Sequence, residues 1–214
     1  MGFINTALNN CRDIVRRFMH GLARQLNSAT GGKVSPNTIT ITGLVAHIPI
    51  AYFIAMGSNW VAAGLLIVFG LFDTLDGELA RLQKRASPAG MVLDASTDRF
   101  KEVLLYSGVA YAIIATGRPY LAVWAVIACG ASLCVSYIKA KGETAVRGSS
   151  LTPNEINRLF ADGLMRFEVR MAILVVGLLA SQVAVAVIVI AVLSSFTAIG
   201  RLLRITQKLS DVQD

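Results

Sequence analysis

The sequence predicts an all-α integral membrane protein with six transmembrane helices preceded by an N-terminal amphipathic interfacial helix. Three observations predict it. Hydrophobic residues make up 55% of the 214 positions and charged ones 15%, with a mean hydropathy of +0.62. The apolar residues gather into runs close to the ~20 residues that a spanning helix needs. The basic residues sort to one side of those runs. A soluble fold of this length has too small a core to hide so much apolar surface, whereas a bilayer solvates it directly. The expected organisation is a juxtamembrane segment over 1–34, a membrane domain over 35–208 and a short tail over 209–214.

Taken in order, residues 4 to 26 place Ile4, Leu8, Cys11, Val15, Phe18, Met19, Leu22 and Leu26 at intervals of three and four, with Arg12, Arg16, Arg17 and Arg24 between them. This is the pattern of a helix lying on a membrane surface. Gly31 and Gly32 mark a loop. Ser35, Pro36, Asn37 and Thr38 supply the cap and first turn of a span over about 37–56. Further spans follow over about 60–81, 91–116, 119–140, 167–182 and 184–206, separated by turn-like breaks at Gly57-Ser58-Asn59, Ser87-Pro88 and Gly117-Arg118-Pro119. A polar connector, Gly142 to Asp162, separates the fourth span from the fifth.

Alternating the spans across the bilayer puts the N-terminal helix, the turn at 82–90, the connector and the C-terminus on one face. Of all the Lys and Arg residues only Arg118 falls on the other. The positive-inside rule then places both termini in the cytoplasm of a multi-pass plasma-membrane protein. The net charge of +7 is thereby membrane topology, and no nucleic-acid-binding motif accompanies it. Cys11, Cys129 and Cys134 form neither a disulfide framework nor a zinc motif. Polar residues interrupt positions 5–17, so no cleavable signal is expected and the chain is expected to start at or near Met1.

Asp73 and Asp76 stand one helical turn apart at the end of the second span, and Asp94 and Asp98 stand four apart near the start of the third. Each spacing puts the two carboxylates on one face of a helix. The short turn between the spans makes the helices antiparallel neighbours, so the acidic faces can meet. Four anions at the edge of the hydrocarbon demand protonation, basic partners or bound cations. An oxygen-only donor set suits two hard divalent ions, Mg2+ or Mn2+. Gly77 and Gly90 leave backbone open to a ligand, Ala80 leaves room, and Arg81 and Ser87 offer donors suited to phosphate.

The pattern Asp73-x2-Asp76-Gly77-x2-Ala80-Arg81-x8-Gly90-x3-Asp94-x3-Asp98 resembles the full signature of the CDP-alcohol phosphotransferases. The resemblance covers about residues 30 to 205. It implies a six-helix membrane fold, often dimeric, with the active site open to the cytoplasm. It implies transfer of a phosphatidyl or archaetidyl group from CDP-diacylglycerol or CDP-archaeol to an alcohol, with release of CMP. It further implies that Asp73, Asp76, Asp94 and Asp98 bind metal and that Asp98 is also the base on the acceptor hydroxyl. Asp73, Gly77, Arg81, Ser87, Ser35, Pro36, Asn37 and Thr38 match positions that contact the CDP-lipid.

The segment Ser136-Tyr137-Ile138-Lys139-Ala140-Lys141 is similar to the corresponding stretch of phosphatidylinositol phosphate synthases and their archaeal relatives, which implies an inositol phosphate acceptor. Lys139, Lys141, Arg170 and Arg201 are the candidate acceptor-binding cations; cationic helix ends are also common in membrane proteins without a ligand. Arg166-Phe167-Glu168-Val169-Arg170 departs from the Glu-Arg-x-Glu-Arg pattern of those synthases, and only its last Arg matches. Glycerol phosphate, serine or another polyol stay open as acceptors. A divalent-cation transporter is a different use of intramembrane carboxylates, but the aspartates sit at helix ends instead of midspan.

Overall fold

The computed structural model describes the backbone of residues 2–145 and 165–210, and the side chains of residues 15–145 and 165–207. The face of the first helix set by Ile4, Leu8, Cys11 and Arg12, the stretch 146–162 of the connector and the last four residues of the tail lie outside these. The described residues are helical and contain no strand. Helices α1 (Gly2–Ala29), α2 (Pro36–Ala55), α3 (Asn59–Gly70), α4 (Phe72–Leu82), α5 (Pro88–Ala115), α6 (Val123–Ala145), α7 (Phe167–Leu179) and α8 (Val183–Ser210) follow in order. A 3-10 turn, Pro119–Ala122, leads into α6.

The caps follow from local chemistry. The Thr38 amide donates to Ser35 Oγ at 3.2 Å, with Pro36 at the first helical position, and this starts α2. Gly32 (φ 73) and Gly57 (φ 72) take left-handed conformations just after α1 and α2, where a side chain would be strained. The expected second span is one apolar run, yet it divides at Leu71. There the ladder tightens: Leu71 N–H donates to Val68 O at 3.3 Å and Thr74 N–H to Leu71 O at 3.1 Å. These three-residue bonds set α4 off from α3.

Two compact units form. The first comprises residues up to Ile50 together with Gly64–Lys101; the second comprises Ala51–Ala63 and the chain from Glu102 onward. In the first, α1 packs on α4. Met19 and Ala23, one turn apart, bury themselves with Ile39, Leu75 and Leu79, while Val15, Leu26 and Phe72 pack around them.

In the second unit, α8 packs against both α6 and α7. Ala125, Ala128, Ser132 and Val135 are the buried face of α6, a row of mostly small side chains that permits close helix approach. Gly177 is needed on α7, because a Cβ there would lie 2.3 Å from the Cβ of Ala186. Gly108 is needed on α5 for the same reason: its Cβ would stand 2.5 Å from the carbonyl oxygen of Ala51.

Four segments, Pro36–Ala55, Asn59–Leu82, Pro119–Ala145 and Val183–Gln207, are long and apolar enough to cross a membrane, and only 28–39% of each apolar window is buried within the protein. The remainder is apolar surface that water would not tolerate and lipid solvates; Trp60, Val126 and Phe196 are among its most exposed members. The chain is a multi-pass membrane protein. Two of the six expected spans are not of this kind. Helix α5 carries Asp94, Asp98, Arg99, Lys101 and Glu102 within nine successive positions, and α7 has 13 residues, about 20 Å at the helical rise.

Candidate active site

Helix α4 presents Asp73 in its first turn and Asp76 one turn on, and α5 presents Asp94 and Asp98. The structure brings three of them to one point: Asp73, Asp76 and Asp94 each offer an oxygen within 4.8 Å of the others. Asp76 is buried, and Thr40 of α2 donates to its Oδ2 at 2.5 Å. The Oδ1 atom of Asp94 is buried with no hydrogen-bond partner among the described residues. Asp98 joins the group through Lys101. That ammonium is completely buried and donates to Asp73 Oδ1 and, at 3.2 Å, to Asp98 Oδ1. Arg99 Nη2 lies 3.7 Å from Asp98 Oδ2.

The charges do not balance. Four carboxylates face one ammonium and one guanidinium, and a buried carboxylate oxygen without a partner costs more than any neutral acceptor. An oxygen-only set with an unsatisfied buried oxygen fits a hard divalent cation. Asp73, Asp76 and Asp94 are the residues that can hold it, with Asp98 one turn further along α5.

The expected nucleotide contacts also gather. A Cβ placed on Gly90 would stand 3.3 Å from Ser87 Oγ and 3.6 Å from Asn37 Oδ1, so the starts of α2 and α5 meet at this glycine. Ser87 Oγ accepts the Gly90 amide at 3.1 Å, and Ser35 and Thr38 share a hydroxyl contact at 2.9 Å. Pro36 is buried, whereas Asn37 and Thr38 are exposed. The Arg81 guanidinium lies beside Gly77, 3.6 Å from where a Cβ would be, and its Nη2 donates to Glu78 at 2.6 Å.

The four candidate acceptor cations belong to the second unit. Lys139 pairs with Glu143 at 3.5 Å, and the Lys141 ammonium sits 5.8 Å from the centre of the Tyr137 ring. Arg170 is buried, donating from Nε to Glu102 at 2.6 Å and from Nη1 to Met165 O at 2.5 Å. Arg201 is buried and donates from Nη1 to Val135 O at 2.7 Å.

Several of these partners escape the sequence pattern. Thr40, Lys101 and Glu102 are distant from the residues they serve or hidden among charged neighbours. One signal was present, since Lys101 follows Asp98 by three and so shares its helix face. Glu78 lies between Gly77 and Arg81 without belonging to the signature, and it collects Arg16, His20 and Arg81. His47 of α2 is buried with Nδ1 2.7 Å from Gly43 O.

The family model for CDP-alcohol phosphatidyltransferase matches residues 33–199. A phosphatidylinositol phosphate synthase of Cutibacterium acnes is 30% identical over 139 residues, which cover 61% of this chain and 66% of that protein. An archaetidylinositol phosphate synthase of Methanothermobacter thermautotrophicus is 29% identical over 140 residues, 64% of this chain and 65% of that one. The chain thus spans about two thirds of the length of these curated relatives. The crystal structure of Mycobacterium tuberculosis phosphatidylinositol phosphate synthase with CDP-DAG bound superposes with a TM-score of 0.74 at 27% identity, over 88% of this chain and 94% of the other. The same enzyme in complex with manganese and citrate gives a TM-score of 0.73 at 27% identity, covering 87% and 88%.

Proposed function

The chain belongs to the CDP-alcohol phosphatidyltransferase family, and from that membership we propose that it transfers a phosphatidyl group from a CDP-activated lipid to the hydroxyl of inositol phosphate. The observation that supports this best is the meeting of Asp73, Asp76 and Asp94 within 4.8 Å, with one buried oxygen unsatisfied, inside a complete family signature. The relatives named above are phosphatidylinositol phosphate or archaetidylinositol phosphate synthases, and the Mycobacterium tuberculosis enzyme has structures with CDP-DAG and with manganese bound.

In this reading Asp73, Asp76, Asp94 and Asp98 hold two ions, Mg2+ or Mn2+. When bound, they supply positive charge that neutralises the pyrophosphate. Ser35, Pro36, Asn37, Thr38, Gly77, Arg81 and Ser87 hold the nucleotide end of the donor. Asp98 takes the proton of the acceptor hydroxyl, whose oxygen bonds to the lipid-bearing phosphorus. The phosphorus–oxygen bond to CMP breaks, and CMP leaves with the electron pair.

Lys139, Lys141, Arg170 and Arg201 hold the acceptor phosphate. Both termini and the site face the cytoplasm, α5 and α7 complete six spans, α1 lies in the interface, and the protein is a homodimer surrounded by membrane lipid. The domain limits stay at 1–34, 35–208 and 209–214.

The test is CMP release by purified protein given CDP-diacylglycerol, Mn2+ or Mg2+, and in turn inositol phosphate, glycerol phosphate, serine and free inositol. Inositol phosphate should give the fastest release. Release driven only by another acceptor would reassign the substrate, and none from any acceptor would remove the transferase reading.

A further inference from the structure

Glu78 has no place in the family signature, yet it is buried with two arginines and a histidine gathered on it. Its Oε1 accepts Arg16 Nε at 2.8 Å and Arg81 Nη2 at 2.6 Å, and its Oε2 lies 3.1 Å from His20 Nδ1. Arg16 and His20 come from α1. They reach Glu78 because Arg16, Met19, His20 and Ala23 recur at intervals of three and four and so share one face of that helix. Met19 and Ala23 bury themselves against Leu75 and Leu79 of α4, which fixes the face in place.

On α4, successive residues turn by ~100°, so Arg81 lies ~80° from Asp73 and Glu78 ~140° from it, with Asp76 ~60° to the other side. Arg81 therefore stands on the border between the aspartate face and the face that meets α1. Its guanidinium lies beside Gly77, and its side chain is 53% exposed. A long exposed side chain loses rotamer freedom when it grips a ligand, and this weakens binding. Glu78 removes much of that loss by holding Nη2 beforehand. Nε and Nη1 of Arg81 have no partner among the described residues.

Charge gives α1 a second role here. A lone Glu78–Arg81 pair would present no net charge to an anionic ligand, whereas Arg16 offsets Glu78 and leaves the group positive. A guanidinium so held keeps both its geometry and its attraction for phosphate oxygens.

We propose that Glu78 is a positioning residue for the CDP-lipid donor: held by Arg16 and His20 of α1, it fixes the Arg81 guanidinium at the edge of the aspartate face. This rests on the reading that Arg81 holds the nucleotide end of the donor. It makes α1 a supporting wall of the donor site.

The experiment is a double-mutant cycle on the full chain in detergent micelles. Calorimetric titration with CDP in the presence of Mn2+ gives the nucleotide affinity, electron paramagnetic resonance gives the Mn2+ affinity, and melting temperatures report folding. Glu78→Gln keeps the shape and removes the charge. It should weaken CDP binding about tenfold, the scale of one charge-assisted hydrogen bond, at unchanged Mn2+ affinity. Arg81→Gln should weaken CDP binding at least as much. Adding Glu78→Gln to Arg81→Gln should then change nothing further, because Glu78 acts through Arg81. If Glu78→Gln does not fold, Glu78→Asp keeps the charge, withdraws it from Arg81 by one methylene and takes its place in the cycle with a smaller loss.

Losses that simply add in the double variant would overturn the positioning role, as would CDP binding by Glu78→Gln as tight as that of the wild type or tighter. A parallel loss of Mn2+ affinity would overturn it too, making Glu78 a strut for the whole unit. CDP affinity unchanged in Arg81→Gln would instead take Arg81 away from the donor, and the proposal with it.

Discussion

Lys101 and Glu102 follow one another on α5 and both are completely buried, yet they belong to different units and to different kinds of charge network. Lys101 enters a cluster with surplus negative charge, where it serves Asp73 and Asp98 and leaves a buried oxygen of Asp94 unanswered. Glu102 takes the Arg170 guanidinium on Oε1, and a second nitrogen of Arg170 goes to the Met165 carbonyl; its Oε2, like Asp94 Oδ1, is buried without a hydrogen-bond partner among the described residues, so the two sites differ in charge balance and not in satisfaction. A carboxylate paired with a guanidinium carries no surplus charge and calls for no added cation. An unbalanced cluster stays buried only if something else supplies positive charge, and this separates a place for a ligand from a piece of scaffolding.

The sharpest way to break that contrast is to remove charge from each side in turn. Asp94→Asn takes a carboxylate from the unbalanced cluster while keeping its shape. Turnover should fall on the order of 10^4-fold, about 5.5 kcal/mol at the barrier, and Mn2+ affinity, read by electron paramagnetic resonance, should fall with it. Undiminished Mn2+ binding would take Asp94 out of the ligand set. On the balanced side, Arg170→Met takes the guanidinium from buried Glu102 and should cost about 3–5 kcal/mol of stability in a thermal or denaturant melt.

Glu102→Gln together with Arg170→Met removes both charges and should recover most of that loss. The refolded double variant also decides what else Arg170 does. A higher KM for inositol phosphate at unchanged donor KM makes Arg170 an acceptor contact, and an unchanged acceptor KM makes it a strut.

The aspartates were legible because a helix converts spacing into facing: residues three or four apart must share a side, and a short turn must bring two helices together. The starts and ends were legible for a similar reason. Ser35-Pro36 and the glycines at 32 and 57 act on the backbone within a few residues of themselves. What escaped was whatever depends on distant packing.

Thr40 reaches Asp76 across 36 positions and Glu102 reaches Arg170 across 68, and no local pattern encodes either. The break at Leu71 is hidden because Leu65–Leu71 is apolar on every side of the helix, with Gly70 as its lone weak point. Arg170 and Arg201 read as cationic helix residues, but their burial becomes visible only once Glu102 and the Val135 carbonyl are found beside them.

The smallest expected effect concerns Lys101, the residue that sequence spacing hints at and only the structure explains. Its ammonium supplies positive charge to Asp73 and Asp98 from within the protein. A divalent ion at the same oxygens competes with it. Lys101→Met removes the competitor and leaves the carboxylates more negative, so Mn2+ should bind about tenfold more tightly. That factor is about 1.4 kcal/mol, a fraction of the attraction between unit charges at this separation. The ligand-free variant should melt lower than the wild type, because its anions then repel one another without relief, and added Mn2+ should raise its melting temperature by more than it raises that of the wild type. Weaker Mn2+ binding in Lys101→Met would mean that the ammonium positions the carboxylates for the ion instead of standing in for it.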